Sequence, residues 1–337
     1  MGIVGLTLVG CIASGLVLGC ELLQRDGAGS LRSDRALMPG TLGQFPSAHE
    51  FSDVVQIPGT DQVLLVDDEA KNQVFLWRVG RYGEPDGEVT AIDLPAGVEF
   101  EDGEGVTTDG RAIYAITAHS LRQDGTSRET ALLQLRWAEN HLELDAALTD
   151  LRARLESNFP VFAQVKGLVP DLGGLDIEGL AWDSGNKRLL LGIRGPLIDG
   201  NPVVVPFRLT RSGQQVDVSW DGPPIPIKGI DGYGIRSIQY DHELKAFLIL
   251  TGGSGKQVKG SAGKNRFALW RWSGVPEEPA VRLLEFPKML QGVRSKPEGV
   301  CRVTLLGGAS YLLIVYDGMG YYSKIPDRLL PLNPDPQ

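Results

Sequence analysis

Short apolar runs separated by polar turns fill most of the chain, and the unit from Gly174 to Pro196 sets the pattern. Asp176-Ile177-Glu178-Gly179 leads into Leu180-Ala181-Trp182, the chain turns at Asp183-Ser184-Gly185-Asn186, and it returns as Leu189-Leu190-Leu191-Gly192-Ile193. Two brief apolar runs around a polar turn predict a β-hairpin. Antiparallel pairing then sets the residues that open the first strand, Asp176 and Glu178, beside those that close the second, Arg194 and Gly195.

The same pattern recurs at four other places. It is read at Asp102-Gly103-Glu104-Gly105-Val106 with Ala112 to Ile116, at Lys296-Pro297-Glu298-Gly299-Val300 with Tyr311 to Val315, and at Ile235-Arg236-Ser237-Ile238 with Ala246 to Leu250. The most degenerate copy is Ser52-Asp53-Val54-Val55 with Val63 to Val66. The aligned starts fall at 52, 104, 178, 236 and 298, so successive modules are 52, 74, 58 and 62 residues apart. A third strand is legible in four modules, as in Gln73 to Trp77 and Ala131 to Leu135, and a fourth at Val89 to Leu94, Val216 to Trp220 and Val281 to Phe286. Modules of this length with four short strands each predict an all-β propeller, five- or six-bladed, with four-stranded antiparallel blades. A sandwich with chance repeats is the competing arrangement. The long interval is assigned to a helical insertion near 142–158, where Leu144, Leu148, Leu151 and Leu155 fall at helical spacing.

Ile3 to Leu18 is an apolar run ending in Val17-Leu18-Gly19-Cys20. Its length suits a signal-peptide core better than a membrane span. The ending resembles a bacterial lipobox, so residues 1–19 are expected to be a lipoprotein-type signal peptide with Cys20 the lipidation site. An uncleaved anchor and a leader removed without lipidation are the alternatives, and all three put the body outside the cytoplasm, in the cell envelope or secreted. Residues 20–44 lack periodicity and read as a tether, 45–330 as the propeller and 331–337 as a C-terminal tail. Cys301 then stands alone beyond the leader cysteines Cys11 and Cys20, in an apolar strand, and reads as a core residue. The formal net charge of -9 and pI near 5.1 argue against nucleic acid as a partner. A monomer is expected.

In a propeller the openings of the inner strands converge on one mouth of the central channel. The expected ring is Ser52, Asp53, Glu104, Glu178, Arg236 and Glu298, with Asp67, Asp68, His119, Arg194 and Asp317 just outside. Crowded carboxylates repel, and a raised pKa, an arginine partner or a bound cation relieves them. Asp53, Glu104, Glu178 and Glu298 are therefore candidate ligands of a hard cation such as Ca²⁺. Hydrogen bonding to neighbouring blades and pairing with the arginines is the structural alternative. The scattered histidines (His49, His119, His141, His242) disfavour zinc. Glu178, Arg194, Arg236 and His119 are the candidate catalytic residues. The loop Gly252 to Lys264, with Lys256, Lys259 and Lys264, is placed over the same mouth, as a solvated loop or as a closure over an anion. No GxSxG elbow, HExxH helix or GxGxxG turn is present.

The set DGEGV, LDIEGLAWD, LLLGIRGP, YGIRSI and KPEGV resembles a bacterial propeller family of unknown function related to the domain called esterase-like activity of phytase, over about Phe51 to Ile325. The resemblance implies an envelope or secreted propeller and hydrolysis of phosphoesters or esters. More distantly, acids at inner-strand starts look like those of calcium-dependent lactonase and paraoxonase propellers, although the Asn ligands typical there are missing and Arg236 stands in one blade's position. Two functions are carried forward: a metal-assisted hydrolase of small phosphoesters, esters or lactones, and a non-catalytic propeller that binds a small anionic ligand or a protein partner.

Overall fold

A computed structural model of the chain describes residues 42–45, 49–80, 83, 86–138, 141–212, 215–253, 266–318 and 320–326. The expected signal peptide with Cys20, nearly all of the tether, Lys256, Lys259, Lys264 and the C-terminal tail lie outside these residues.

Five antiparallel sheets, each with a four-stranded path, form a five-bladed β-propeller. From the channel outward, blade 1 is Phe51–Gln56, Gln62–Asp67, Gln73–Arg78 and Thr90–Asp93. Blade 2 is Gly103–Thr108, Ile113–Thr117, Leu132–Ala138 and His141–Leu148. Blade 3 is Asp176–Asp183, Arg188–Ile198, Asn201–Ser212 and Gln215–Trp220, with Ile225–Pro226 paired to its third strand. Blade 4 is Tyr233–Asp241, Ala246–Gly253, Phe267–Trp272 and Val281–Phe286. Blade 5 is Pro297–Thr304, Ser310–Tyr316 and Tyr321–Pro326, and its outer strand is the N-terminal segment Leu42–Gln44. The chain ends thus pair within blade 5 and close the ring there, which settles the blade count at five.

Each inner strand touches the inner strands of the blades on both sides, so the ring is continuous. Five apolar clusters fill it, one between each pair of neighbouring blades. Between blades 5 and 1, for instance, Phe45 meets Phe51 and Trp77 edge-on at centroid distances of 5.1 and 4.9 Å. The polar turns have a local cause: Asp183 and Asp241 end two inner strands and Asp109 directly follows a third, and in each an Oδ1 accepts backbone N–H groups just ahead, such as those of Glu243 and Leu244 on Asp241.

The expected helix over 142–158 is only half helical. His141–Leu148 is the outer strand of blade 2, with Leu142, Ala146 and Leu148 buried, because Leu142, Leu144, Ala146 and Leu148 also satisfy the period of two that a sheet edge selects. Helix follows at Leu151–Asn158 and Pro160–Ala163, and Leu151, Leu155 and Phe162 are buried in the cluster between blades 2 and 3. Among the described residues no helix is long and apolar enough to cross a membrane.

Candidate functional site

The five aligned positions share one backbone irregularity. In every blade the inner strand gains a residue against its partner: Ser52 lies between the pairs of Phe51 with Asp67 and Asp53 with Val66, and Glu104, Glu178, Arg236 and Glu298 occupy the same place in blades 2 to 5. Such bulges bend the strand and re-aim a side chain. Blade 3 carries a second one on the opposite strand, where Arg194 falls between Ile193 and Gly195. The glycine of the Glu-Gly dipeptide has its own cause, close approach of the next blade: a Cβ on Gly299 would stand 2.7 Å from Asp53 Cα, and one on Gly105 3.0 Å from Leu180 N. The dipeptide therefore joins a re-aimed acid to a packing requirement.

The bulges bring charges of alternating sign together across blades 3, 4 and 5. Arg194 pairs with Glu178 and, at 3.3 Å, with Asp176. Arg236 Nη1 lies 3.2 Å from Glu178 Oε2 and 2.6 Å from Glu298 Oε2, and Lys296 joins Glu298 at 3.4 Å and Asp317. Glu178, Arg236 and Glu298 are buried, so removal of any one strands a partner in low dielectric. Burial pulls Arg194 down, yet Glu178 and Asp176 outweigh it and hold the guanidinium charged. Burial raises Glu298, with Arg236 opposing.

Beside this chain opens a funnel of about 190 Å³ lined by Asp102, Glu104, Asp176, Glu178, Arg128 and Arg194 among others. Arg128 holds Asp102 at 3.1 Å. Glu104 makes no hydrogen bond or ion pair among the described residues. Burial, then repulsion from Glu178 and Asp102, hold its carboxyl well above the usual carboxylate range. Burial pushes Asp176 up to about 7 and Asp102 up to about 6. The site thus holds protonatable acids next to fixed carboxylate–guanidinium pairs.

The sequence reasoning named Glu104, Glu178, Arg194, Arg236 and Glu298, and the structure gathers them. It missed Asp102, Asp176, Arg128 and Lys296 as members; Asp102 and Asp176 flank the bulges and were legible, whereas Arg128 arrives on a loop with no local signal. Two candidates lie elsewhere. Asp53 is fully buried at the channel waist, where its Oδ1 accepts from Ser237 Oγ at 2.8 Å and its Oδ2 from Val106 N at 3.0 Å and Gln239 Nε2 at 3.3 Å. His119 is fully buried too; it does not line the funnel but a neighbouring cavity with Arg152 and Glu156. Burial pushes its imidazole down to about 3, so it is neutral. Asp67, expected beside the ring, caps a turn by accepting from Glu69 N and Ala70 N, and Cys301 is a buried free thiol raised by burial.

The family model described as "Protein of unknown function (DUF3616)" matches residues 138–327, from the end of the third strand of blade 2 through blade 5. The chain belongs to this family. No curated protein matches it. Among solved structures, the chain is similar at 10% identity and a TM-score of 0.39 to the Pseudomonas aeruginosa periplasmic gluconolactonase, covering 79% of this chain and 65% of that one. It is similar at 13% identity and a TM-score of 0.40 to Trypanosoma rangeli sialidase in complex with the inhibitor DANA, covering 79% and 44%. A chain of the mitotic checkpoint complex gives 11% identity and 0.39, with 91% and 99% covered. At these values none of the three bears on the activity of this DUF3616 protein.

Proposed function

We propose that the acidic funnel binds a small neutral ester or lactone and hydrolyses it by acid–base chemistry without a metal ion. The observation that carries this reading is Glu104: an acid without a partner among the described residues, opening on a funnel beside carboxylates already held by arginines. Burial and the neighbouring carboxylates favour the protonated form of such a group, which can donate a proton to a leaving oxygen. Asp176, with its pKa near 7, takes the proton of a water molecule as that water adds to the acyl carbon. Arg194 faces the charge that develops on the acyl oxygen. Collapse of the adduct breaks the acyl C–O bond, the alcohol leaves with the proton of Glu104, and the proton on Asp176 restores Glu104. Kinship with the esterase-like domain of phytase would agree with ester substrates.

Carboxylates outnumber Arg128 and Arg194 in the lining, so a neutral ligand is favoured over the anionic one expected from the sequence. The expected calcium ligands fit poorly as a set. The oxygens of Asp53 accept three protein donors, both oxygens of Glu298 accept from Arg236 Nη1, and Glu178 is held by Arg194. Glu104 alone of the four is uncommitted.

The test is hydrolysis of p-nitrophenyl acetate, p-nitrophenyl phosphate and simple lactones with and without EDTA. Activity on the ester or lactone that survives chelation, and that falls at least about 100-fold in kcat in Glu104→Gln, is the expected result. Activity abolished by EDTA and restored by Ca²⁺ would replace this mechanism with a metal-assisted one. An inert wild-type protein would leave a binding propeller instead.

A further inference from the structure

The channel has a second mouth. At the end opposite the funnel lies a larger cavity of about 350 Å³, walled by residues of all five blades, Val55, Thr107, Trp182, Gln239, Tyr240 and Cys301 among them. Its floor is the far side of the waist: Thr107 Oγ1 lies 3.2 Å from Gln239 Oε1 and accepts from Trp182 N at 3.1 Å, while Gln239 Nε2 donates to Val106 O at 2.5 Å. These floor groups are satisfied within the protein.

The rim differs. Trp182 and Tyr240 are each half-buried. One side of Trp182 is stacked on Tyr114, with ring centroids 6.2 Å apart and planes at 8°, and Tyr240 is held edge-on by Phe247 at 5.2 Å. Both rings are therefore fixed in orientation. Yet Trp182 Nε1 and the Tyr240 hydroxyl make no hydrogen bond among the described residues. The charged groups around the cavity are already engaged: Asp109 accepts from Arg111 N, Ala112 N and the Tyr114 hydroxyl, and Arg302 is shared by Asp241 and Glu243. The cavity offers neither the net charge nor the free cation that an anionic ligand would need.

A preoriented aromatic platform, ring donors without a partner among the described residues, charged groups already engaged and room for one ring describe a site for a flat-faced, uncharged, polyhydroxylated ligand. We propose that the opposite mouth binds a neutral pyranose sugar, seated against Trp182 and hydrogen-bonded by Trp182 Nε1 and the Tyr240 hydroxyl. The C–H face of a pyranose satisfies the aromatic surface and its hydroxyls satisfy the two donors. This site is separate from the acidic funnel and does not depend on hydrolysis there.

The experiment is titration of the protein with methyl glycosides of glucose, galactose, mannose and N-acetylglucosamine, followed by tryptophan fluorescence and isothermal calorimetry. Saturable binding of at least one glycoside in the millimolar range is expected, weakened roughly tenfold in Trp182→Ala, the loss that corresponds to one aromatic contact. Tyr240→Phe removes only a hydroxyl that bonds to nothing among the described residues; it is expected to keep the fold and weaken binding a few-fold. Glu104→Gln should bind as the wild type does. No saturable binding of any glycoside, affinity unchanged in both aromatic variants, or affinity lost in Glu104→Gln would each overturn the proposal.

Discussion

The mouth of the channel and its waist are built one residue apart on the same inner strands, and they treat charge in opposite ways. At the mouth, the bulged Glu178, Arg236 and Glu298 form an open chain with Glu104 beside it; among the described residues Glu104 has no partner, and neither Glu178 Oε2 nor Arg236 Nε makes a hydrogen bond. One residue further along, Asp53 and Ser237 turn into the waist and lock to each other and to Gln239, Val106 and Val300 with every carboxylate oxygen used. Where no side chain follows the bulge, as at Gly299, the neighbouring strand fills the space instead. The contrast shows that an acid in a propeller channel is not by itself a site: Asp53 is as buried as any, and it fastens blades 1, 2, 4 and, through Ser237, 5.

The largest effect should come from breaking the waist. Asp53→Ala leaves the Val106 N–H and the Ser237 and Gln239 donors without their acceptor in a dry interior. A loss of about 3 kcal/mol or more is expected, which is roughly 6–12 °C in Tm; a change within a degree or two would show that the waist does not hold the blades. Gly299→Ala comes next. Its Cβ would press on Asp53 Cα and on Val315 Cγ2, both at 2.7 Å, and overpacking of this kind costs about 1–3 kcal/mol. Chemical denaturation measures it, and a neutral variant would mean that the spacing of blades 5 and 1 yields freely.

The propeller was legible because the hairpins repeat, and repetition survives the loss of any one signal. The ring of five positions was legible for the same reason, since aligning Glu104, Glu178 and Glu298 with Ser52 and Arg236 found every bulge. What alignment could not show was depth. Asp53 and Glu104 sit side by side in the aligned modules, and the bulge alone sends one to the waist and the other to the mouth. His119 follows the second strand of its blade, whereas Arg194 bulges from within its own, and the His119 backbone takes a φ of 51° with its ring buried. Leu144 and Leu148 fit a helix and a strand equally well, and pairing with Leu132–Ala138 decided for strand. Arg128 is brought in by tertiary structure alone.

The smallest effect is the most specific. Burial holds Asp53 up to about 8 against the hydrogen bonds from Val106 and Ser237, which pull it down, while its unfolded value is near that of a free carboxylate. Between those two values the folded chain carries a proton that the unfolded chain has released. The stability due to this group is therefore complete below about pH 4 and is lost as pH rises towards about 8. Asp68 and Asp176, both near 7, add slopes of the same sign at lower pH. Between about pH 7 and about pH 8, Asp53 contributes a fall of at most about 1.4 kcal/mol, or roughly 3 °C. Asp53→Asn reproduces the protonated acid: its amide nitrogen can donate to Ser237 Oγ and its oxygen can accept from Val106 and Gln239. That variant should match the wild type below about pH 4 and lack this group's fall in Tm between about pH 4 and about pH 8, leaving it the more stable protein across that range. A wild-type Tm that rises across this interval would mean that Asp53 is ionised in the folded chain, and the waist would then be held by charge, like the mouth.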